Sequence, residues 1–332
     1  MRKIFFFCAL CASVMTVYAA DGALNGKFTI NDKGDQIVFS QGNLQFNAVE
    51  GTHDTQLETG VLGTWRFAIH QYDTIGGANS NLASDYDGWI DMFGWGTSGY
   101  NDIQPYNKSI HYTEYSASTG EIGGTNEDWG YFNAISNGGN EVGLWKTLSK
   151  DEWTYLLETR DNHANLQGRV TIGETSGYMI LPDDWKLPSG LSFTPNAENY
   201  TTNVYTLEQW DDLEIAGAVF FPAGGRRAQG ASAMDEIEYV GLIGVYWLST
   251  YWGFYSGNQA YNFGFADDWF EGSEGVSVKF GGCVRLVQAA SGTTTTIDNT
   301  EVVEKAAKLL RNGQLLILRD NRTYTLTGQK VK

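Results

Sequence analysis

The chain has 332 residues, 14% of them aromatic, and a formal net charge of −17 at pH 7. This length and aromatic content are sufficient for one large or two modest domains with a substantial core. The acidic charge excludes nucleic acid and anionic membranes as favourable partners, because both repel a negative surface.

Residues 1–20 have the pattern of a secretory signal peptide. Two basic residues, Arg2 and Lys3, precede an apolar run and a small-residue cleavage site. We therefore predict that the mature protein begins at Asp21, that it is secreted or held on the outer cell surface, and that it does not insert into a lipid membrane. The mature chain keeps one cysteine, Cys283, which we interpret as a small buried hydrophobe.

The charge of the mature chain is unevenly distributed. Residues 301–332 hold seven basic and three acidic residues and carry +4. Removal of Arg2 and Lys3 takes the whole chain from −17 to −19, so residues 21–300 carry −23. Composition predicts a signal peptide over 1–20, a domain over 21–290, a linker over 291–300 and a C-terminal hairpin tail over 301–332.

Short strands are predicted at the start of the mature chain. Residues 27–30 and 36–39 are typical of a hairpin, and residues 64–68 alternate in a way that allows pairing with the extended run 42–46. Residues 76–143 are rich in glycine and polar residues but also carry large aromatic rings. We interpret them as a long ordered irregular region, with residues 89–96 inserted into the core.

Two helices are predicted from capping boxes. Ser149 with Glu152 begins the first helix, which ends near Arg160, and Thr206 with Gln209 begins the second. Helical spacing assigns to buried faces Trp153, Leu156, Leu157 and Arg160 in the first helix and Leu207, Trp210 and Leu213 in the second. Between and after them, we predict a hairpin over 169–172 and 178–181 and an apolar strand over 217–221.

A late β meander is predicted from three aromatic and β-branched runs, at residues 244–251, 259–265 and 275–287. In the second run, alternation of aromatic with small residues indicates a half-buried strand. Tyr246 and Trp247 fall on opposite faces, so at least one of them belongs to the core. The pair Gly281-Gly282 predicts a kink where no side chain fits.

In the tail, residues 302–310 are predicted to form a brief helix. Residues 314–319 and 323–326 are predicted to form a hairpin around Asp320-Asn321. The fold class expected from all these elements is α+β.

Several segments resemble a group of secreted Bacteroidales proteins related to the Fibrobacter succinogenes major paralogous domain. The matching segments, at residues 42–46, 64–68, 71–76, 88–99, 128–130, 137–140, 145–153 and 284–287, read GNLQF, TWRFA, QYDTIG, GWIDMFGWGTSG, DWG, NGGN, WKTLSKDEW and VRLV. That group is similar, more distantly, to C-type lectin-like and sulfatase-modifying-factor folds. The resemblance implies two helices beside a twisted, mostly antiparallel sheet with long irregular loops.

The tail is similar to C-terminal segments of exported Bacteroidetes proteins. Residues 308–319 and 324–331, KLLRNGQLLILR and YTLTGQKV, resemble type IX secretion sorting segments, although the tail is shorter than a full sorting domain. The resemblance implies a sorting or anchoring role. The alternative is a final hairpin that packs on the body of the protein.

The mature chain lacks the familiar sequence patterns of catalysis and of calcium-dependent sugar binding. Formylglycine-generating enzymes use a cysteine pair, whereas the mature chain has one cysteine. The Glu-Pro-Asn or Gln-Pro-Asp loop and the Trp-Asn-Asp motif of sugar-binding C-type lectins are absent from the mature chain, as are metalloprotease, nucleophile-elbow, Walker and Cys-x-x-Cys patterns. Cys8 and Cys11 have the Cys-x-x-Cys spacing but lie in the predicted signal peptide. A glycosidase needs only two carboxylates brought together in space, so the sequence leaves a hydrolase open.

The aromatic residues beside the meander suggest a ligand-binding surface, because flat rings with nearby polar groups suit a sugar. The candidate ligand-binding residues are Trp252, Tyr255, Asp267, Asp268, Trp269 and Trp89, with Trp95 as a further candidate. No cofactor is expected, although Asp267 and Asp268 leave calcium open. Gly224-Gly225-Arg226-Arg227 resembles an anion cradle, but we interpret its arginines as partners in internal salt bridges.

The function predicted from these features is that of an exported, non-enzymatic binding or adhesion module whose partner is a glycan or a surface protein. The alternatives are an enzyme of the sulfatase-modifying or carboxylate-dependent hydrolase type and a structural surface protein.

Overall fold

The computed structural model describes residues 22–49, 63–107, 121–228, 236–253, 258–267 and 275–290, and the backbone alone of 270–274, 307–311, 314–319, 322–325 and 330–331. Contacts divide the chain into two compact units, Met1–Thr293 and Thr294–Lys332. The predicted linker over 291–300 lies outside the described residues, and the domain boundaries stay a prediction.

The first unit is mixed α and β, with fifteen strands and three α-helices among its described residues. In chain order, these elements are β1 Phe28–Thr29, β2 Gln36–Phe39, β3 Leu44–Asn47, β4 Thr64–Phe67, β5 Trp89–Ile90, α1 Trp129–Phe132, α2 Lys150–Thr154, β6 Gln167–Ile172, β7 Thr175–Ile180, β8 Val204–Tyr205, α3 Leu207–Ile215, β9 Val219–Pro222, β10 Arg226–Arg227, β11 Ile237–Glu238, β12 Ile243–Gly253, β13 Gln259–Ala266, β14 Phe270–Ser277 and β15 Val287–Ala289.

These strands form five small sheets, ordered β1-β2-β15, β4-β3-β5, β8-β6-β7-β9, β10-β11 and β12-β13-β14. The pairing is antiparallel except between β6 and β8, which is parallel. The predicted hairpin β1-β2 and the pairing of β3 with β4 are confirmed. The α+β class is therefore confirmed, with α1 as a short third helix that the sequence analysis did not predict.

The β12-β13-β14 meander lies between two hydrophobic cores. On one face, Tyr246 and Phe263 join a core with helix α2 and the β1-β2 hairpin. On the other face, Trp247 and Ala260 join a second core with the β4-β3-β5 sheet. Both Tyr246 and Trp247 are therefore core residues, and each is 2% exposed.

The prediction that the second meander strand is half-buried is wrong. Phe263 and Phe265 are fully buried on one face, but Ala260 and Asn262 on the other are also 1% exposed or less. The small residues mark a face covered by the second core rather than by water. The alternation of large and small side chains therefore reflects a strand that packs against a core on each face, instead of a strand with one face in water.

The predicted third run, 275–287, is also corrected. Strand β14 ends at Ser277, and a separate strand, β15, begins at Val287 and pairs with β2. Between them the chain makes single bridges, including Gly281 with Arg227 and Gly282 with Phe93. A Cβ at Gly281 would lie 2.7 Å from the Arg227 Cβ, so the predicted lack of room for a side chain is confirmed.

The β8-β6-β7-β9 sheet is buried on both faces. Tyr178 and Phe221 face the first core, whereas Met179 and Phe220 face a third core closed by α3. The predicted hairpin and apolar strand are confirmed as β6-β7 and β9.

Both predicted capping boxes are present. The Ser149 and Thr206 hydroxyls accept from the backbone N–H groups three residues later. In return, the side-chain oxygens of Glu152 and Gln209 accept from the backbone N–H groups of the two cap residues. Burial of Trp210 and Leu213 is confirmed. Leu207 is 48% exposed, so its predicted burial is wrong, since it lies in the first turn beside Gly173 at the edge of the sheet.

Helix α2 continues as a π-helix over Tyr155–Thr159 and ends at Arg160. The Arg160 side chain is 2% exposed and donates to the backbone oxygens of Leu156 and Leu181 and to Asp183 Oδ1 at 2.9 Å. Asp183 Oδ2 also accepts from the Thr29 amide at 2.8 Å. This ion pair joins the end of the helix to the first hairpin.

The second unit is described as backbone only. Its strands are β16 Ala307–Arg311, β17 Gln314–Arg319, β18 Arg322–Thr325 and β19 Lys330–Val331, paired in that order in one antiparallel sheet. The predicted hairpin of the tail is confirmed. The predicted helix over 302–310 is wrong from Ala307 onward, because those residues pair with β17. Among all described residues, no helix has the length and apolar character needed to cross a bilayer.

We expect Asp183→Ala to destabilise the first unit, because it leaves the buried Arg160 guanidinium without its carboxylate. Loss of one partner of a buried ion pair costs roughly 3 kcal/mol or more, and the 25% exposure of the Asp183 side chain favours the lower end. Urea unfolding followed by tryptophan fluorescence measures this loss. The matched control is Asp184→Ala, on an exposed neighbour, which should change stability by about 0.5 kcal/mol or less; equal losses for both variants would contradict the role of the ion pair.

Candidate functional site

The outer end of the meander carries a half-exposed tryptophan. Trp252 lies near the end of β12 and is 48% exposed. The ladder between β12 and β13 is irregular on both sides of Tyr251, which pairs with Ala260. Such irregularities bend a strand and redirect its side chains.

Trp252 is held against the neighbouring strands. Its ring stacks on Tyr261 of β13, with ring centroids 5.7 Å apart and planes inclined by 29°. Tyr261 is the cross-strand partner of Gly275 in β14, and a Cβ at Gly275 would overlap the Trp252 ring. We call Trp252, Tyr261 and Gly275 the meander platform. Since a glycine leaves room for a closely approaching group, the platform holds the Trp252 ring while the residue stays 48% exposed.

Uncharged polar residues border the meander platform. Gln259 and Ser277 are cross-strand partners in the next row of the same face, two residues from Tyr261 and Gly275. Both are half-buried. An aromatic face beside an amide and a hydroxyl can support non-covalent binding of a ligand with apolar and hydroxyl-bearing surfaces.

Of the other candidate residues from the late β meander, Asp267 is the one that the structure describes, and it lies at the opposite end of β13 from Trp252, since Ile243 pairs with Ala266 and Gly253 with Gln259. Its Oδ1 accepts from the Tyr200 amide at 2.7 Å, and the Tyr200 hydroxyl donates to Leu242 O at 3.0 Å. Asp267 therefore fixes a neighbouring loop, whatever else it does. Tyr255, Asp268 and Trp269 lie outside the described residues.

Calcium binding at Asp267 and Asp268 stays a prediction. Within the described ranges, no three acidic, histidine or cysteine side chains come together in a way that could hold a metal ion. Asp268 falls outside those ranges.

Trp89 lies at a different place, on β5. The Arg66 guanidinium covers its ring at 3.6 Å from the centroid, and Arg66 Nε donates to Gln45 Oε1 at 2.9 Å. Trp89 pairs with Asn47 and is half-buried. The structure therefore does not bring Trp89 together with Trp252 into one described site, and one face of its ring is occupied by the arginine.

The candidacy of Trp95 is corrected. Trp95 is fully buried in the second core, and its Nε1 donates to Leu248 O at 2.7 Å. The surrounding residues Ile90 to Gly96 are buried too, which confirms that this segment inserts into the core. A ring with no exposed face cannot stack on an external ligand.

The sequence neighbours of Trp89, Gly88 and Ile90, line a small cavity, which is too small for an organic ligand. Its volume is about 10 Å³, which is about the space of one water molecule. It is lined by Phe46, Ala48, Asn81, Ala83, Tyr86, Gly88, Ile90 and Tyr106.

Two buried carboxyl groups were not identified from sequence. Burial raises the pKa of Asp91 and of Asp128 to about 6, although hydrogen bonds to each carboxylate oppose the shift. Asp128 accepts from the amides of Thr147, Gly124 and Gly130 and from the Thr147 hydroxyl. Both groups fix irregular backbone in the interior, and they have no solvent-facing side chain with which to contact a substrate.

The interpretation of Cys283 as a buried hydrophobe is confirmed, and the salt-bridge interpretation of Gly224-Gly225-Arg226-Arg227 is confirmed for Arg226. Cys283 is buried, and desolvation raises the pKa of its thiol well above the ordinary value. Arg226 forms an internal salt bridge with Glu238 at 3.2 Å and lies over the Phe280 ring. Arg227 is fully buried and donates to the backbone oxygen of Met92 at 2.8 Å, so this contact is a hydrogen bond to the main chain rather than the predicted salt bridge.

Tyr261 and Gly275 were missed as site residues because their contact depends on strand register. A glycine within a strand beside aromatic runs is the signal that could have indicated a close approach.

Comparisons with protein-family models, with curated proteins and with solved structures found no match.

We expect the stability contributed by Asp128 to fall as pH rises. A folded pKa of about 6, above the ordinary 3.8, means that the folded chain binds a proton that the unfolded chain releases between these values. The stability contributed by this proton is fully present below pH 3.8 and is lost as the pH rises through about 6. Relative to Asp128→Asn, the wild type should therefore gain about 1.4 kcal/mol between pH 7.5 and pH 5.

Urea unfolding of both proteins at the two pH values measures this difference, and pH 5 stays above the isoelectric point of about 4.5. Asp32→Asn, at an exposed position, is the control for changing the net charge by one. A difference between wild type and Asp128→Asn that is constant with pH would contradict the raised pKa.

Proposed function

We propose that this chain is an exported, non-enzymatic binding or adhesion module with a C-type lectin-like fold, displayed on or released from a Bacteroidales cell. Its ligand is a glycan or a surface protein. The observation that carries the proposal is the meander platform, where a large ring is held by its neighbours with nearly half of its surface in solvent.

The architecture supports the fold named in this proposal. Two capped helices, α2 and α3, pack against antiparallel strands, and a late meander follows long irregular segments. That combination is what the resemblance to the Fibrobacter succinogenes major paralogous domain implies. The N-terminal pattern of residues 1–20 supports export, and the resemblance of residues 308–331 to sorting segments supports display at the surface.

The energetics of Trp252 support a binding role. Leaving a large apolar side chain in water forgoes part of a burial free energy of roughly 2 kcal/mol. Stacking on Tyr261 restricts the ring before a ligand arrives, so less conformational entropy is lost on binding. A pre-positioned aromatic face is the common feature of surfaces that bind sugar rings or apolar side chains of a protein.

We expect the mature chain, residues 21–332, to bind at least one class of glycan on a printed array, and Trp252→Ala to weaken that binding by roughly tenfold or more. Loss of aromatic stacking together with contact area is of the order of 1.4 kcal/mol. The array is run with calcium and with chelator, so that any role of Asp267 and Asp268 is measured in the same experiment.

Tyr131→Ala is the matched control, because Tyr131 is an aromatic residue of α1 that is 40% exposed. Both variants should keep the wild-type melting temperature within a few degrees. Undiminished binding by Trp252→Ala would contradict the site. Failure to bind any glycan in either condition would contradict a glycan ligand and leave a surface protein.

A further inference from the structure

We infer that the protein has a calcium site beside Gly123, where residues 121–125 run along strand β12. The inference goes beyond the binding function proposed above, because no residue of the meander platform belongs to this site. Three oxygen atoms carry it, namely Glu121 Oε1, the backbone oxygen of Thr147 and Ser249 Oγ.

The three oxygens surround one point beside the Gly123 backbone. A Cβ atom at Gly123 would lie 2.9 Å from Ser249 Oγ and 3.1 Å from both Glu121 Oε1 and Thr147 O. These atoms come from three separate segments of the chain. A side chain at position 123 would fill the space between them, so the convergence of the oxygens depends on a glycine.

Two of the three oxygens are buried without a hydrogen-bond partner. Ser249 is 0% exposed, and its hydroxyl has no partner among the described residues. Thr147 is 1% exposed, and its backbone oxygen accepts no hydrogen bond within the described ranges. Burial of a polar atom without a partner is costly, so two such atoms at one point indicate that a further group binds between them.

The carboxylate of Glu121 supplies a negative charge and is held in place. The Thr250 hydroxyl donates to its Oε2 at 2.6 Å, and the Gly123 amide donates to its Oε1 at 3.2 Å. The Ile122 amide donates to Ser249 O at 2.8 Å, which fixes this segment beside β12. Hydrogen bonds of this kind orient a ligating group before an ion binds.

The ligand chemistry favours calcium. A carboxylate, a carbonyl and a hydroxyl are hard oxygen ligands, which suit calcium or magnesium better than zinc or copper. Calcium accepts oxygens at roughly 2.3–2.6 Å in flexible geometry, whereas magnesium requires a near-ideal octahedron at about 2.0–2.1 Å. The spacing of 2.9–3.1 Å around the common point is nearer to the calcium range. Glu121 and Gly123 are half-buried, so water can supply the remaining ligands.

The local charge also favours a cation. Residues 121–128 contain three acidic residues and no lysine or arginine, and residues 21–300 together carry −23, which attracts cations. The two lysines near Thr147 in the sequence are already paired with carboxylates, in the pairs Lys146–Glu152 at 2.6 Å and Lys150–Asp151 at 3.5 Å. With one carboxylate and two neutral oxygens, the site differs from a cluster of three acidic, histidine or cysteine side chains, which the described ranges lack.

The test is the melting temperature of the mature chain, residues 21–332, first freed of metal with chelator and then titrated with CaCl2. We expect a dissociation constant between roughly 0.1 and 1 mM, the range of calcium sites in extracellular modules. About 10 mM CaCl2 should then raise the melting temperature by about 3 °C or more. The same concentration of MgCl2, or NaCl at the same ionic strength, should raise it by less than half as much.

Two substitutions make the test specific to this site. Ser249→Ala and Glu121→Gln should each remove most of the calcium-dependent rise. In chelator, Ser249→Ala should keep the wild-type melting temperature, because it deletes a buried hydroxyl that has no partner. The matched controls are Ser40→Ala, whose buried hydroxyl donates to Gly42 O at 2.9 Å, and Glu127→Gln, in the same segment as Glu121. Both controls should keep the calcium-dependent rise, and Ser40→Ala should lower the melting temperature in chelator.

Several outcomes would overturn the site. These are a melting temperature that does not respond to calcium, an equal rise with MgCl2 or NaCl, and a calcium-dependent rise that both Ser249→Ala and Glu121→Gln retain. Loss of the rise in Asp267→Asn, with retention in Ser249→Ala, would place calcium on the meander instead. None of these results bears on glycan binding, which the array measures separately.

Discussion

Much of this protein is irregular backbone that is nevertheless buried, and its hydrogen bonds have to be satisfied without regular strand partners. Side-chain amides meet this requirement. Gln71, which is fully buried, accepts from the Phe220 amide at 2.8 Å and donates to Ala218 O at 3.1 Å, as an additional strand beside β9 would. Asn137 accepts from and donates to the backbone of Phe67 on β4 in the same manner.

These amides also connect the cores to one another. Gln71 Oε1 accepts from Arg285 at 2.6 Å and its Nε2 donates to Glu214 at 2.8 Å, so one side chain joins the chain after the meander to helix α3. With loops fixed in this manner, the meander can be enclosed on both faces. Trp252 and Tyr261 lie at one end of the meander, where Trp252 stays 48% exposed, so a binding site can be proposed there without disturbing the packing.

How well sequence predicted each part depended on the range of the interactions involved. The capping boxes at Ser149 and Thr206 and the hairpins were predictable, because they depend on residues a few positions apart. Burial of both faces of β13 was not, because the second core that covers Ala260 is assembled from distant segments. The roles of Gln71 and Asn137 were equally inaccessible, since their partners lie about 150 and 70 residues away. For the site, Trp252 was identified as an aromatic residue beside a loop. The close approach of Trp252 to Gly275 and the hydrogen bond from the Tyr200 amide to Asp267 depend on the strand register and the fold, so they could not be predicted.

The pairing of Asn137 with Phe67 has a consequence for the chemical durability of the protein. Asn137 is followed by glycine, and such a sequence deamidates when the glycine nitrogen attacks the side-chain amide carbon. Here the Gly138 nitrogen donates to Ile135 O at 2.8 Å, and both ends of the Asn137 amide are engaged by Phe67. The attacking atom and its target are each restrained, so the native fold slows a reaction that the unfolded chain would undergo freely. Conversion to aspartate would replace the N–H donor to Phe67 O with a negatively charged oxygen, so that ageing of this single amide would release the loop that it holds.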